Sequence, residues 1–127
     1  MRIAKIALQT RDIERMQTFY MTYFGASVCG QRIEPKTGIR TCCLAFQDGT
    51  EMKLIHRPDR LWETGRNPGK YTTALIFSAG GREAVNELTL RLGDAGYEIL
   101  AGPFETEEAV YESCVLDPEE NQIEITE

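Results

Sequence analysis

The feature that most limits what this chain can fold into is an internal repeat. Gly25 and Gly96 lie 71 residues apart, as do Lys53 and Glu124, while Lys5 and Ala74 are 69 apart. A near-constant offset between elements of the same type marks a duplicated unit. In the first copy, residues 3–8 alternate as a half-buried strand, with Ala4, Ile6 and Leu8 on one face and Ile3, Lys5 and Ala7 on the other. Thr10 and Asp12 can cap a helix in which Ile13, Met16, Phe19, Tyr20 and Tyr23 recur at helical spacing, and Gly25 supplies a left-handed stop. Strands are predicted over 26–32, over 40–47 after a turn containing Pro35 and Gly38, and over 51–56 after the Asp48-Gly49 turn signal.

The second copy keeps the order: a strand over 71–78, a helix over 81–95 with Val85, Leu88 and Leu92 on one face before Gly96, and strands over 97–100, 110–116 and 122–126. Residues 46–54 and 116–125 correspond with a one-residue difference in the turn, so Met52 matches Ile123 and Lys53 matches Glu124. Residues 58–70 hold two prolines and two glycines among charged residues and read as a linker. The fold class is therefore α+β: two βαβββ modules in tandem, 1–57 and 71–127, within a single domain. Neither module alone covers both faces of its sheet, so the two are expected to meet in an open barrel with outer helices.

A chain of 127 residues buries enough surface to fold without a disulfide or a structural metal. Its net charge of -6 comes from interspersed acids and bases, which argues against nucleic acid as a partner. Arg11, Asp12, Glu14 and Arg15 interrupt any signal-peptide hydrophobic region and no long apolar run follows, so the expectation is a cytoplasmic protein with no membrane partner. Cys29, Cys42, Cys43 and Cys114 form no CxxC pair and have one histidine for company. They read as small hydrophobes on strands rather than as a zinc site.

Three segments carry a family resemblance. The tail LDPEENQIEITE is an Asp-Pro turn followed by Asn and a strand bearing Glu124; KIALQTRDIERMQTFYMTYFG opens the first module and ALIFSAGGREAVNELTLRLGDAGYE the second. In this order they resemble the vicinal oxygen chelate superfamily of glyoxalases, bleomycin-resistance proteins and extradiol dioxygenases, essentially end to end. The resemblance implies four inward positions that in metal-using members surround a divalent ion, and here these fall on Lys5, Lys53, Ala74 and Glu124. Only Glu124 is a ligand of the family's type. A protonated lysine has no lone pair to give and alanine has no donor, so the expectation is no metal at this site and no cofactor.

Lys5, Lys53 and Glu124 are expected on the non-helix faces of their strands, projecting into one cleft. They read either as an anion-binding floor, with one lysine paired to Glu124 and the other left for a ligand, or as a salt-bridged floor that binds nothing specific. Tyr111 and Ser113 are expected to look inward from the penultimate strand, and Arg40 stands at the start of its counterpart; these are candidate pocket walls, or plain sheet packing. His56 falls on the face opposite Lys53, as an edge residue rather than a ligand. Trp62, with Arg57, Arg60 and Arg66, reads as a flap over a pocket or as a packing contact. Together these point to a protein that binds a small anionic metabolite independently of metal, with lyase or isomerase chemistry if it is an enzyme. The alternative is a sequestering or resistance-type binder without chemistry. The resemblance also implies a homodimer.

Overall fold

The structure, a computed structural model, describes residues 1–59 and 74–127. Trp62, Arg60 and Arg66 lie outside the described residues, as do Tyr71, Thr72 and Thr73 of the predicted fifth strand. The chain divides into two compact units, Met1–Thr64 and Gly65–Glu127.

The first unit runs β1 (Ile6–Gln9), α1 (Ile13–Phe24), β2 (Ser27–Ile33), β3 (Arg40–Ala45) and β4 (Glu51–His56), with sheet order β1-β4-β3-β2. β1 runs parallel to β4 and the other neighbours are antiparallel. α1 begins where the Asp12 carboxylate accepts the Arg15 amide at 3.1 Å, and it ends at Gly25, whose φ of 67° is left-handed. Its periodic residues Ile13, Met16, Phe19 and Tyr20 are buried against Cys42 and Leu44 of β3 and Met52 and Leu54 of β4. Each such side chain contributes about 1.5–3 kcal/mol by leaving water, which makes this stripe the core of the unit. Strand β1 begins three residues later than the alternation suggests, leaving Lys5 just outside it.

The second unit repeats the pattern with β5 (Ala74–Ser78), α2 (Arg82–Asp94), β6 (Ile99–Glu105), β7 (Tyr111–Leu116) and β8 (Gln122–Thr126), in sheet order β5-β8-β7-β6. Val85 and Leu92 of α2 are buried with Val115, Ile123 and Ile125. The turns into the two last strands are built alike. The Asp48 carboxylate accepts the Thr50 amide and hydroxyl at 2.9 Å each, and the Asp117 carboxylate accepts the Glu119 and Asn121 amides at 2.9 Å each. The two tandem βαβββ modules are thus α+β, as the repeat predicts. No described helix is long and apolar enough to cross a membrane.

The sixth strand also departs from the prediction. A strand is predicted over 97–100, whereas β6 spans Ile99–Glu105 and passes through Gly102 and Pro103, residue types that usually break a strand. The ladder is interrupted between Ala101 and Phe104 and then resumes, which a proline tolerates on an edge strand. Gly102 has φ +80°, and a Cβ there would lie 2.6 Å from the Glu112 carbonyl oxygen, so the chain passes β7 at a distance only glycine permits.

Candidate functional site

Each sheet has one face covered by its helix and one turned away. In the first unit the helix face is set by buried Leu44, Met52 and Leu54, so the alternate residues Cys43, Glu51 and Lys53 share the open face. Cys43 stands opposite Lys53 across the β3–β4 ladder. β1 pairs with β4 so that Ile6 meets Met52, which brings Lys5, one residue earlier, beside Glu51. The β2–β3 ladder slips between Val28 and Gly30, leaving Cys29 unpaired in a bulge next to Cys43.

These three local arrangements gather Lys5, Cys29, Cys43 and Glu51. The Lys5 ammonium donates to Glu51 Oε2 at 2.6 Å and to Cys43 Sγ at 3.8 Å, and the Cys43 thiol donates to Glu51 Oε2 at 3.7 Å. The sulfurs of Cys29 and Cys43 and a Glu51 oxygen lie within 4.8 Å of one another. The hydrogen bond to Glu51 raises Lys5 above its ordinary value, and the same bond holds Glu51 below the usual carboxylate range. Burial and then the Cys29 thiol push Cys43 up to about 11, so the Cys43 thiol is protonated at neutral pH. Lys53 is exposed and has no ion-pair partner among the described residues.

The partner of Lys5 within the first unit is Glu51, two residues before Lys53 on the same strand. Glu124 belongs to the second unit, where it stands on the open face of β8 opposite Cys114 of β7 and Ile76 of β5. Burial first, and then the Glu124 charge, raise Cys114 above the ordinary thiol value.

Tyr111 and Ser113 face α2 rather than away from it. Ser113 is fully buried with its hydroxyl 2.7 Å from that of Thr89, and the Tyr111 hydroxyl donates to Asn86 Oδ1 at 2.6 Å while Arg82 lies over its ring. The reason is phase. Ser113 alternates with buried Val115 and sits opposite buried Ile125, so it shares their face. Arg40 likewise turns to the helix side, where it is ion-paired with Glu14. It lines a depression of about 270 Å³ with Ile13, Gln17, Gln31 and Cys42, away from the lysines. His56 Nδ1 donates to the Thr10 carbonyl at 3.0 Å, a strand-end contact on the face opposite Lys53.

Glu51, Cys29 and Cys43 escape a reading of the sequence. Glu51 is one acid among 20 until the β1–β4 register places Lys5 beside it. Cys29 joins Cys43 only through a bulge, which nothing but the neighbouring Gly30 hints at.

The family model described as Glyoxalase/Bleomycin resistance protein/Dioxygenase superfamily matches residues 2–125. No curated protein matches the sequence. Among solved structures, the chain is similar to a glyoxylase/bleomycin resistance protein/dioxygenase domain from Frankia sp. EAN1pec, with TM-score 0.82 and 14% identity over 99% of this chain and 96% of that one. It is also similar to a glyoxalase/bleomycin resistance protein/dioxygenase family enzyme from Burkholderia phytofirmans PsJN, with TM-score 0.76 and 23% identity over 97% and 95%. A third is the fosfomycin resistance protein FosX from Listeria monocytogenes, complexed with Mn(II) and sulfate ion, with TM-score 0.74 and 16% identity over 98% and 90%. At these identities the likeness establishes the fold.

Proposed function

The chain belongs to the Glyoxalase/Bleomycin resistance protein/Dioxygenase superfamily, and from that premise we propose that it binds a small anionic metabolite through the Lys53 ammonium, with no metal at the four family positions. The residues at those positions do not fit a divalent cation. Lys5 donates a hydrogen bond to the Glu51 carboxylate and keeps its protons, which leaves it charged and without a lone pair, and Ala74 has no donor atom. Lys53 adds a second ammonium, so Glu124 is the single carboxylate of the set, too few donors to displace water from a hard or borderline cation.

The observation that carries the reading is the contrast between the two lysines. Lys5 is neutralised by Glu51, whereas Lys53, on the same face, has no acidic partner among the described residues. A cation left unanswered on an open sheet face is available to a carboxylate or phosphate. Lyase or isomerase chemistry, or sequestration without turnover, would both begin from this binding step.

Replacing Lys53 with Met keeps most of the stem and removes the charge and its donors. Affinity for small carboxylates and phosphates, measured by calorimetry, should fall by roughly one to two orders of magnitude, since a charge-assisted hydrogen bond contributes about 1.5–3 kcal/mol. The melting temperature should stay near that of the parent. Unchanged affinity, or a parent protein that binds no such anion, would refute the assignment.

A further inference from the structure

The open face of the first unit holds a second set of groups that anion binding does not use. We propose that Cys29, Cys43 and Glu51 form a site for a borderline-soft divalent cation of the zinc class, with the Lys5 ammonium holding the cation's place when metal is absent. This is distinct from the four family positions. Its donors come from the β2 bulge, from β3 and from the start of β4.

The donor types and their spacing support it. Two thiolates and a carboxylate are a ligand set that zinc and cobalt accept, with the fourth tetrahedral position left for water. At zinc–sulfur and zinc–oxygen distances of about 2.3 and 2.1 Å, a tetrahedral ion separates its sulfur and oxygen ligands by about 3.6 Å. Cys43 Sγ and Glu51 Oε2 are already 3.7 Å apart. Cys29 Sγ lies within 4.8 Å of both, so side-chain rotation is enough to close the set.

A positive charge is already accommodated there, 2.6 Å from Glu51 and 3.8 Å from Cys43. The Lys5 side chain is half exposed and can swing its head into water as an ion enters. Cys29 is exposed, which gives the ion a way in. Binding releases one proton from each thiol to solvent, so that two thiolates and one carboxylate face the ion.

The second unit supplies an internal control. Cys114 stands opposite Glu124 as Cys43 stands opposite Lys53, but the bulged residue of β6 in the place of Cys29 is Leu100, and Gln122 occupies the place of Glu51. A lone thiol on the same sheet position thus lacks both companions.

Metal-free protein, kept reduced with a phosphine, is titrated with Co2+ and then with Zn2+. The expected result is one equivalent of Co2+ per chain with a thiolate-to-cobalt charge-transfer band in the near ultraviolet, displaced by Zn2+. Cys29→Ser and Cys43→Ser should lose the band and bind Co2+ about 100-fold more weakly or worse, since even partners that only orient a ligand contribute about 10- to 100-fold. Because Cys29 is exposed, Cys29→Ser should melt with the parent when metal-free, which separates lost ligation from lost folding. Cys114→Ser and Lys53→Met should keep the band, the latter making this test independent of the anion-binding one. Lys5→Met should bind at least as tightly as the parent. A reduced parent without the band, a Cys29→Ser protein that retains it, or a Cys114→Ser protein that loses it would each overturn the proposal.

Discussion

The two modules share a scaffold and fill it with opposite chemistry. Where the helix meets the third strand, the first module joins Arg40 to Glu14 by an ion pair, and the second joins Tyr111 to Asn86 by a neutral hydrogen bond. One turn further along, the Cys42 thiol meets the Gln17 amide oxygen at 3.5 Å, and the corresponding pair is Ser113 with Thr89. On the open faces, Lys5, Cys43, Glu51 and Lys53 are matched by Ala74, Cys114, Gln122 and Glu124. Apolar residues hold the shared positions of the core, while polar positions diverge. Burial constrains a side chain to be apolar and of the right size, whereas a surface position on a sheet accepts almost any partner. The duplicated core therefore reports the fold, and the diverged faces report what each module does.

The sharpest test of that division lies in the edge strands, which are both bulged but built differently. Gly102 in β6 has φ +80° and lies against the Glu112 carbonyl, whereas a Cβ on Gly30 in β2 would meet nothing within 4 Å. Gly102→Ala should destabilise by about 2–4 kcal/mol, combining backbone strain with a clash that the sheet must relieve. Gly30→Ala should stay within about 0.5 kcal/mol of the parent. Urea denaturation measures both. Equal effects would mean that the two bulges are energetically interchangeable and that the contrast between the strands is only apparent.

A smaller effect separates a structural from a ligand-binding role for Ser113. Thr89 donates its one hydroxyl proton to the Val85 carbonyl at 2.6 Å, so Ser113 must be the donor in the bond between the two hydroxyls. Ser113→Ala leaves Thr89 still bonded to Val85 and should lower stability by about 1 kcal/mol, with anion affinity unchanged. A loss of affinity without a loss of stability would return Ser113 to the binding site.

What could be read from the sequence divides along the same line. The periodicity of Ile13, Met16, Phe19 and Tyr20, the stop at Gly25 and the 71-residue repeat define the modules, because each is a local pattern with a fixed physical consequence. The end of β6 is hidden because Gly102 and Pro103 break a ladder locally without ending the strand. The faces of Tyr111 and Ser113 turn on the phase of a six-residue strand, where a shift of one position exchanges the two faces. The gathering of Lys5, Cys29, Cys43 and Glu51 depends on one parallel register and one bulge, both tertiary facts without a local signature.

The least of the expected effects concerns the charged and neutral versions of the helix-to-strand link. The Arg40 hydrogen bond holds Glu14 below the usual carboxylate range, so folding favours the ionised form of Glu14. A carboxylate with a lowered folded-state pKa adds stability that is present above its unfolded pKa and is lost as pH falls through the folded one. The difference in melting temperature between the parent and Glu14→Gln should therefore be positive near neutral pH and shrink toward zero below the ordinary carboxylate range. The pair is exposed and screened by solvent, so the difference should be small and should also shrink with added salt. The link between Asn86 and Tyr111 contains no carboxylate, so the difference between the parent and Tyr111→Phe should hold constant across the same acid range. Two differences that fade together in acid would show that the whole sheet loosens, and the contrast between an ionic and a neutral link would fail at the point where the modules are most alike.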